Sequence, residues 1–350
     1  MRSAVLALAT AIGACGASEG DQGGGPDGPP VGSDAPRPDG ATSSDVLADD
    51  YPGDLGLGAD PAVVWFEDFE GASVPTITGR YDQSQGQARM EFVSDGPAGQ
   101  GGVQAMALTA GDGVSAVDFY KMLPNADEWW VRWYVKYQGG DIPYHHSGMW
   151  FGGYDPPVAF PSPQAGISPD GDDRFSLSIE PVFGDPGARR FDFYAYWMRM
   201  HSWMPEPFPA NNGTNYYGNS MIHQNGFTVD EEQWVCLEVH ARLNMDTASA
   251  AGALLEVWKN DVQLIRFEDT GPIGYWVRDK FCPETADGPE CTDYQVPAAE
   301  TLDLQFRNTS SLQLNAFWPQ NYISNTTGPG MGTVVYDQMV VATTRIGCLR

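Results

Sequence analysis

The sequence predicts an all-β protein in which a sandwich of two antiparallel sheets follows a disordered tether. Short segments of alternating polar and apolar residues recur after residue 61, separated by turns rich in Gly, Pro and Asn. Such a pattern is typical of strands in a sandwich or barrel. No segment shows the convincing 3.6-residue periodicity of an amphipathic helix. Before residue 62, the composition changes to Gly, Pro, Asp, Ser and Ala.

The first 15 residues predict an export signal. An apolar stretch over residues 4–12 follows Arg2, and small residues close it, as in secretory signals. The tetrapeptide Ile12-Gly13-Ala14-Cys15 resembles a bacterial lipobox, in which Cys15 is lipidated and becomes the first residue of the mature protein. The alternative is a plain cleaved signal with an incidental cysteine. We therefore expect a protein of the cell envelope that faces the periplasm or the exterior.

Residues 16–61 are predicted to form a flexible, acidic tether between this anchor and one folded domain, residues 62–350. A Gly- and Pro-rich segment with few aromatic residues cannot bury enough apolar surface to offset its chain entropy. The formal charge of −27 argues against nucleic acid as a partner, because a phosphate backbone requires a basic surface. No apolar run is long enough to span a membrane, so we expect the protein to contact the membrane only through its lipid anchor. We also expect a monomer.

Four cysteines remain in the predicted domain, and an even number in an exported protein indicates two disulfides. Three pairings are possible. We favour Cys282–Cys291, which closes a local loop, and Cys236–Cys348, which ties the last strand to an inner one. A zinc site is the alternative, but the spacing contains no C-x-x-C pair.

Each predicted strand rests on a run of apolar or alternating residues. In chain order, these strands cover residues 62–70, 90–93, 103–109, 117–122, two segments within 128–154, 174–182, 190–203, 233–244, 253–267 as a hairpin, 302–318 as one or two strands, and 333–346. The hairpin has its turn at Lys259-Asn260-Asp261, because Asn and Asp tolerate left-handed backbone. Residues 204–227 form a long loop, and its aromatic residues suggest that it packs beside a substrate.

The segment 128–138 predicts the floor of a ligand groove. Strand side chains alternate between faces, and one face of this segment is apolar, with Val131, Trp133, Val135 and Tyr137. The other face carries Arg132, Tyr134 and Lys136, which suit a polar ligand that is anionic or rich in hydroxyls. His145 and His146 follow the turn, and only one of two adjacent strand residues can face the groove.

Three segments resemble the concanavalin A-like jelly rolls found among polysaccharide lyases. Residues 65–70 (WFEDFE) resemble the opening strand of that fold, residues 233–238 with 255–261 resemble its back-sheet hairpin, and residues 336–347 resemble its closing strand. The likeness spans about residues 63–348 and is nearest to the glucuronan lyase-like group with its fungal cellulose-induced proteins. It implies a β-jelly roll that binds an extracellular, uronate-containing polysaccharide or oligosaccharide.

The resemblance also implies a structural calcium ion, which in that group often joins the opening strand to the closing strand. Glu70 and Asp337 match the two carboxylates, and calcium prefers oxygen ligands. The loop at residues 98–102 offers only backbone oxygens and Gln100 where the family has Ser and Asn side chains. The alternative is a pair of solvated carboxylates at strand ends.

Cleavage by β-elimination is the activity that the resemblance implies. It requires a group that neutralises the uronate carboxylate, a base and an acid. The candidates are Arg132 or Lys136 for the carboxylate, His146 as the base, and Tyr194 or Tyr196 as the acid. The further substrate contacts that we expect are Tyr134, Lys136, Glu180, Asn315 and Trp318.

Two other classes of function remain open, namely a carbohydrate-binding surface lipoprotein without catalysis and a structural surface protein. A retaining glycoside hydrolase is disfavoured, because the paired carboxylates that it requires have no E-x-D-x-x-E pattern here.

Overall fold

Two antiparallel sheets packed face to face form the body of the protein in this computed structural model. The structure describes residues 45–111, 116–139, 144, 146–159, 165–182, 189–204, 215–291, 298–323 and 331–350. All of them belong to one compact unit. The predicted signal, the lipidation site at Cys15 and His145 lie outside the described residues. None of the helices in the described part of the chain is both long and apolar enough to cross a membrane.

Seventeen strands and a few short helical turns make up the described secondary structure. The strands are β1 (Val63–Glu67), β2 (Gln83–Gln85), β3 (Met90–Val93), β4 (Ala105–Ala110), β5 (Ala116–Ala126), β6 (Glu128–Gln138), β7 (Met149–Tyr154), β8 (Arg174–Val182), β9 (Arg190–Phe193), β10 (Val235–Arg242), β11 (Leu254–Lys259), β12 (Val262–Glu268), β13 (Ile273–Val277), β14 (Lys280–Pro283), β15 (Glu300–Thr301), β16 (Leu314–Tyr322) and β17 (Gly332–Ala342). The α-helices are α1 (Leu47–Asp50) and α2 (Val74–Thr78), and 3-10 turns cover Pro52–Asp54, Leu57–Ala59, Gln87–Arg89 and Pro289–Cys291.

The two large sheets have different strand sets. The eight-stranded sheet runs β12-β11-β10-β6-β17-β4-β3, with β1 also paired to β17, and the six-stranded sheet runs β2-β5-β16-β7-β8-β9. A small third sheet has the order β14-β13-β15. The core lies between the two large sheets, where Trp133 and Val135 of β6 belong to the same buried cluster as Leu177 and Ile179 of β8. The all-β sandwich predicted from the sequence is therefore confirmed.

The alternation rule located several strands closely. Strands β3 and β8 have the predicted bounds, and β11 and β12 form the predicted hairpin, with Asn260 and Asp261 both at positive φ in its turn. The predicted strand at 190–203 is shorter, because β9 ends at Phe193 and isolated bridges at Ala195 and Tyr196 continue the pairing. Residues 302–313 form no strand, and β13 and β14 were not predicted.

The N-terminal boundary of the domain needs correction. Residues 45–61 were assigned to the tether, but in the structure they pack on the outer face of the eight-stranded sheet. Leu47 and Leu57 are buried in a cluster with Val340 and Ile346, and the backbone N–H of Ala48 donates to Ile346 O at 2.8 Å. A few apolar residues are enough to hold this polar segment on the sheet, because they cover an apolar strip of its outer face.

Both favoured disulfides are present. Cys236–Cys348 joins β10 to the C-terminal segment, and Cys282–Cys291 closes the loop that follows β14. The first bridge packs against Tyr134 of β6, so it fixes the chain end to the outer face of the eight-stranded sheet.

Candidate functional site

Aromatic and polar side chains form two parallel rows on the outer face of the six-stranded sheet. Phe119, Phe151, Phe317 and Phe193 point into the core from β5, β7, β16 and the end of β9, so their neighbours in sequence point outward. The aromatic row consists of Tyr120, Trp318, Trp150 and Tyr194. The polar row consists of Asp118, Gln320 and Glu180.

The strand register places the members of each row side by side. In the aromatic row, Trp318 lies opposite Trp150, and Trp150 lies opposite Ser178 of β8. Successive ring centroids are 6.1 Å apart for Tyr120 and Trp318, 5.9 Å for Trp318 and Trp150, and 5.7 Å for Trp150 and Tyr194. In the polar row, Asp118 lies opposite Gln320. The face therefore carries a continuous aromatic strip with polar groups alongside, in which Trp318 and Tyr194 are half-buried and Tyr120 and Trp150 are buried.

His146 stands at one end of the aromatic row, held by Glu180. Its Nδ1 lies 3.1 Å from Glu180 Oε1, and its ring centroid lies 4.5 Å from that of Tyr194. An ionised carboxylate can only accept hydrogen bonds, so Nδ1 carries the hydrogen and Nε2 keeps its lone pair. His146 has φ +57°, a conformation uncommon for a residue with a side chain and found more often at functional sites.

Glu180 is buried and accepts hydrogen bonds from three side chains. Besides His146, the indole Nε1 of Trp150 donates to Oε2 at 3.2 Å, and Ser178 Oγ donates to Oε2 at 3.3 Å. Gly148 lies beside it, and a Cβ at that position would come within 2.8 Å of the Cβ of Glu180. The small residue thus lets the His146 segment approach β8 closely, and the hydrogen bonds fix the carboxylate that orients the imidazole.

The half-buried Tyr194 and the buried Tyr196 form a pair of phenols next to His146. Their hydroxyl oxygens lie 3.3 Å apart. Burial raises the pKa of Tyr194 well above its usual value and raises the pKa of Tyr196 to about 12. Both phenols are therefore protonated at neutral pH, which makes them proton donors rather than bases.

A cleft opens from Glu180 and Tyr194 past the edge strand β9. It encloses about 230 Å³, and Lys280 of β14 lines it together with His223 and Glu290. The Nζ atom of Lys280 lies 3.2 Å from Asp279 Oδ1. Lys280 therefore places one cation near the His146 end of the aromatic row.

The predicted groove floor on β6 lies on the other sheet and is covered. Arg132 is fully buried, with Nη2 2.5 Å from Asp54 Oδ2. The Tyr134 hydroxyl accepts a hydrogen bond from the backbone N–H of Leu349 at 2.7 Å. Lys136 is buried and pairs with Asp95. These three residues contact the 3-10 turn Pro52–Asp54, the C-terminal segment and a loop, so the structure does not bring them together with His146.

Some of the remaining predicted contact residues lie at the groove, and one is buried between strands. Glu180 and Trp318 lie in the two rows, and Tyr196 lies beside Tyr194. Asn315 is buried and holds strands together, because its side chain accepts from Tyr154 N at 3.0 Å and donates to Tyr154 O at 2.9 Å. It is therefore unsuited to contact a ligand.

Sequence reasoning did not select Trp150, Asp118 and Lys280. The alternation in β7 and β5 could have indicated the first two, since each follows a core aromatic or aliphatic residue. Lys280 had no such signal, because β14 is too short to show a pattern and is brought to the cleft by its pairing with β13 and by the bridge from Lys280 to Ser220.

Asp337 and Glu70, the predicted calcium ligands, lie in an acidic environment. Asp337 is buried, and its Oδ2 accepts no hydrogen bond within the part of the chain that the structure describes. Burial and the nearby charges of Asp68 and Glu70 raise the pKa of Asp337 to about 8. Glu70 Oε1 accepts from the backbone N–H groups of Val103 and Gln104 at 2.5 and 2.8 Å. An open carboxylate oxygen facing two further acids fits a hard cation.

One other cluster has the composition of a metal site. Among the described residues, His223, Cys282 and Cys291 form a group whose potential ligand atoms lie within 4.8 Å of one another. The two sulfurs are bonded to each other, so they are not available as thiolate ligands.

Comparison with solved structures shows the fold that the chain shares with other proteins. A marine alginate lyase from Aplysia kurodai has a TM-score of 0.51 and 15% identity, covering 80% of this chain and 99% of that one. An Aly36B alginate lyase variant in complex with alginate tetrasaccharide has a TM-score of 0.50 and 11% identity, covering 82% and 99%. Endo-β-1,4-glucuronan lyase from Trichoderma reesei has a TM-score of 0.43 and 11% identity, covering 81% and 96%. Neither a protein-family model nor a curated protein sequence matches the chain.

The class defined by the fold is the jelly-roll sandwich found among polysaccharide lyases. The two alginate lyase structures share it with this chain over most of the length of both partners. The resemblance drawn from the opening, hairpin and closing segments is thus confirmed for the fold.

Proposed function

We propose that this protein binds a uronate-containing polysaccharide along the aromatic row and cleaves it by β-elimination at the His146 end. The observation that carries the proposal is His146, oriented by the buried Glu180 and packed against the protonated phenol of Tyr194. Aromatic faces suit sugar rings because they offer large apolar contacts at low entropic cost. The alginate lyase neighbours have the same fold, and one of them is described in complex with an alginate tetrasaccharide.

His146 and Tyr194 supply the two proton transfers. Nε2 of His146 takes the proton from the ring carbon next to the uronate carboxyl group. The electrons of the broken C–H bond form a carbon–carbon double bond, and the glycosidic oxygen leaves from the neighbouring carbon. The hydroxyl of Tyr194 donates a proton to that oxygen, and solvent returns both residues to their starting states. Positioned acid and base groups of this kind contribute about 10²- to 10⁴-fold to a rate.

Lys280 takes the role that the sequence assigned to Arg132 or Lys136. Proton loss beside a carboxylate builds up negative charge, and a cation next to the carboxylate stabilises that charge. Lys280 lines the cleft together with Glu180 and Tyr194, whereas Arg132 and Lys136 are bound by Asp54 and Asp95 on the other sheet. Asp279 beside Lys280 keeps the ammonium group close to the cleft.

The proposal is tested by the ultraviolet absorbance of the unsaturated uronate that elimination creates. Residues 45–350 are incubated with a panel of uronate-containing polysaccharides. We expect His146→Ala and Tyr194→Phe each to lose at least about 10²-fold in rate with an unchanged melting temperature. Tyr51→Phe, which alters a phenol bonded to Asp60 away from the groove, is the matched control. Full activity in both groove variants would refute the assignment.

A binding module without catalysis is the second candidate, because the aromatic row alone suffices for sugar stacking. In that case the absorbance stays flat on every polysaccharide, while affinity gels containing some of them retard the protein. Trp150→Ala then abolishes retardation and His146→Ala does not.

We also propose that a calcium ion binds between the opening and closing strands. Asp337 offers its open Oδ2, and Asp68 and Glu70 add negative charge. The ion would stabilise the fold by compensating these charges and would take no part in the chemistry. Thermal unfolding with calcium and with a chelator tests this, and an equal melting temperature in both speaks against the site.

We propose, from the sequence pattern, that the chain is exported and anchored through lipidated Cys15. Acylation of the full chain in a bacterial host tests this expectation by mass spectrometry. Cys15→Ser should abolish the acyl chain, and its persistence in that variant would refute the lipobox assignment.

A further inference from the structure

We infer that the preferred polymer carries its uronates singly, separated by uncharged sugars, so that only the ring at the His146 end bears a carboxylate. This inference rests on the proposed function and names its substrate class. It comes from the charges of the polar row, which lies beside the aromatic row. A polymer made of uronates alone would require cations in this row, whereas the row carries carboxylates.

The polar row places two carboxylates under different parts of a bound chain. Asp118 lies on β5 and Glu180 on β8, with β16 and β7 between them. Three strand spacings of about 4.8 Å separate them by roughly 14 Å. A chain lying along the aromatic row therefore passes Glu180 with one ring and Asp118 with another.

Asp118 is an unusual residue for the floor of a groove that binds polyanions. It is 1% exposed, its carboxylate oxygens lack a well-formed hydrogen bond from the described residues, and the side chain of Trp318 offsets its burial only in part, so that its pKa is raised to about 6. Buried polar groups in native proteins are nearly always hydrogen-bonded, so an exception calls for an explanation. A carboxylate that is compensated only in part keeps a charge that repels a second carboxylate placed above it.

Neither row contains a cation that could offset this charge. The segments between the described ranges after residue 45 contain no Lys or Arg. Near the groove, Arg190 is bound by Glu290, and Arg174 lies at the far end of β8 beside Asp173. Lys280 lies in the cleft at the His146 end. One uronate can thus be neutralised there, and none beside Asp118.

The total charge acts in the same direction. With a formal charge of −27, the protein repels a dense polyanion before contact, and salt screens this repulsion. An uncharged sugar that passes Asp118 meets no such penalty. Repulsion between two like charges a few ångströms apart near a protein surface accounts for a preference of about tenfold for an uncharged sugar over a uronate at this position.

The experiment compares homopolymers of uronate with polymers in which uronates and uncharged sugars alternate. Polymannuronate and glucuronan represent the first group, and hyaluronan and unsulfated chondroitin the second. Elimination rate and gel retardation are measured for residues 45–350 at low and high salt. We expect a member of the second group to be preferred by at least about tenfold at low salt, with the preference reduced at high salt.

Asp118→Asn should raise the elimination rate and gel retardation on homopolymers and so reduce the preference for alternating polymers. Glu91 is an exposed acid of β3 on the other sheet, and Glu91→Gln should leave that preference unchanged. Equal or better use of homopolymers by the wild-type chain overturns the inference while leaving β-elimination intact. Absence of both elimination and retardation on every polymer overturns the proposed function and this inference together. If Asp118→Asn fails to fold, the salt dependence of the wild-type preference decides.

Discussion

Replacing Asp54 by Asn should destabilise the protein strongly, although Asp54 lies in a segment whose composition predicts a tether. Asp54 Oδ2 is 2.5 Å from Arg132 Nη2, and both side chains are almost completely buried. Asn keeps the size of the side chain and tolerates the positive φ of +60° at this position. The substitution therefore removes the charge with little other change.

The expected loss is about 3 kcal/mol, at the lower end of the range for leaving one partner of a buried pair unpaired. The lower end applies because the amide oxygen of Asn can still accept from Arg132. The pair itself is poorly satisfied, since Arg132 Nε and Nη1 and Asp54 Oδ1 have no hydrogen-bond partner among the described residues. Asp54→Asn combined with Arg132→Met should consequently recover to within about 1 kcal/mol of wild type.

The measurement is urea unfolding of residues 45–350, followed by tryptophan fluorescence. Asp49→Asn is the matched control, because it removes an acid from the same segment that pairs with Arg350 at the surface. Exposed pairs contribute about 0–1 kcal/mol. If Asp54→Asn costs no more than Asp49→Asn, the segment is not an integral part of the folded domain and the reasoning is wrong.

Three further perturbations have defined outcomes. Gly218→Ala places a Cβ 2.5 Å from Tyr194 Cγ, so the tyrosine ring must shift by about 1 Å. The elimination rate should then fall about 10²-fold, and an unchanged rate contradicts the role of Tyr194. Because the pKa of Asp337 is raised to about 8, the folded state keeps a proton that the unfolded state has lost. Without calcium, stability should therefore fall by up to about 1.4 kcal/mol per pH unit between roughly pH 4 and 8. Urea unfolding of Asp337→Asn should show a flatter pH profile, and an identical profile contradicts this account. Removing Cys236–Cys348, which spans 112 residues, should cost about 5 kcal/mol in urea unfolding, against about 2.5 for the nine-residue bridge Cys282–Cys291; a reversed order contradicts the loop-entropy explanation.

The strand positions could be predicted because burial on one face imposes a period of two. In β8, Phe175, Leu177 and Ile179 are fully buried, as the alternation predicts, and the same rule assigned Tyr194 and Tyr196 to one face. The small sheet of β13, β14 and β15 could not be found in this way, since its strands are short and partly exposed. Its position depends on pairing between distant segments, which single-strand periodicity does not encode.

The site was predicted in part, because alternation separates two faces of a strand without showing what covers each of them. On β6 the polar face carries Arg132 and Lys136, and on β8 it carries Ser178 and Glu180. In sequence the first set looks more like a ligand site, because cations suit an anionic ligand. The structure covers Arg132 with Asp54, nearly 80 residues earlier in the chain.

That covering explains why the misassigned face contains charged residues at all. A charged side chain on a strand tolerates burial only when an opposite charge reaches it, and Asp54 and Asp95 supply that charge to Arg132 and Lys136. The outer face of the six-stranded sheet has the opposite composition, with aromatic rings and the Asp118 carboxylate, which forms no ion pair with the described residues. A sheet face whose charged side chains form ion pairs with other segments of the chain is covered by those segments. Acids without such an ion pair, placed beside aromatic rings, are compatible with a hydroxyl-rich ligand.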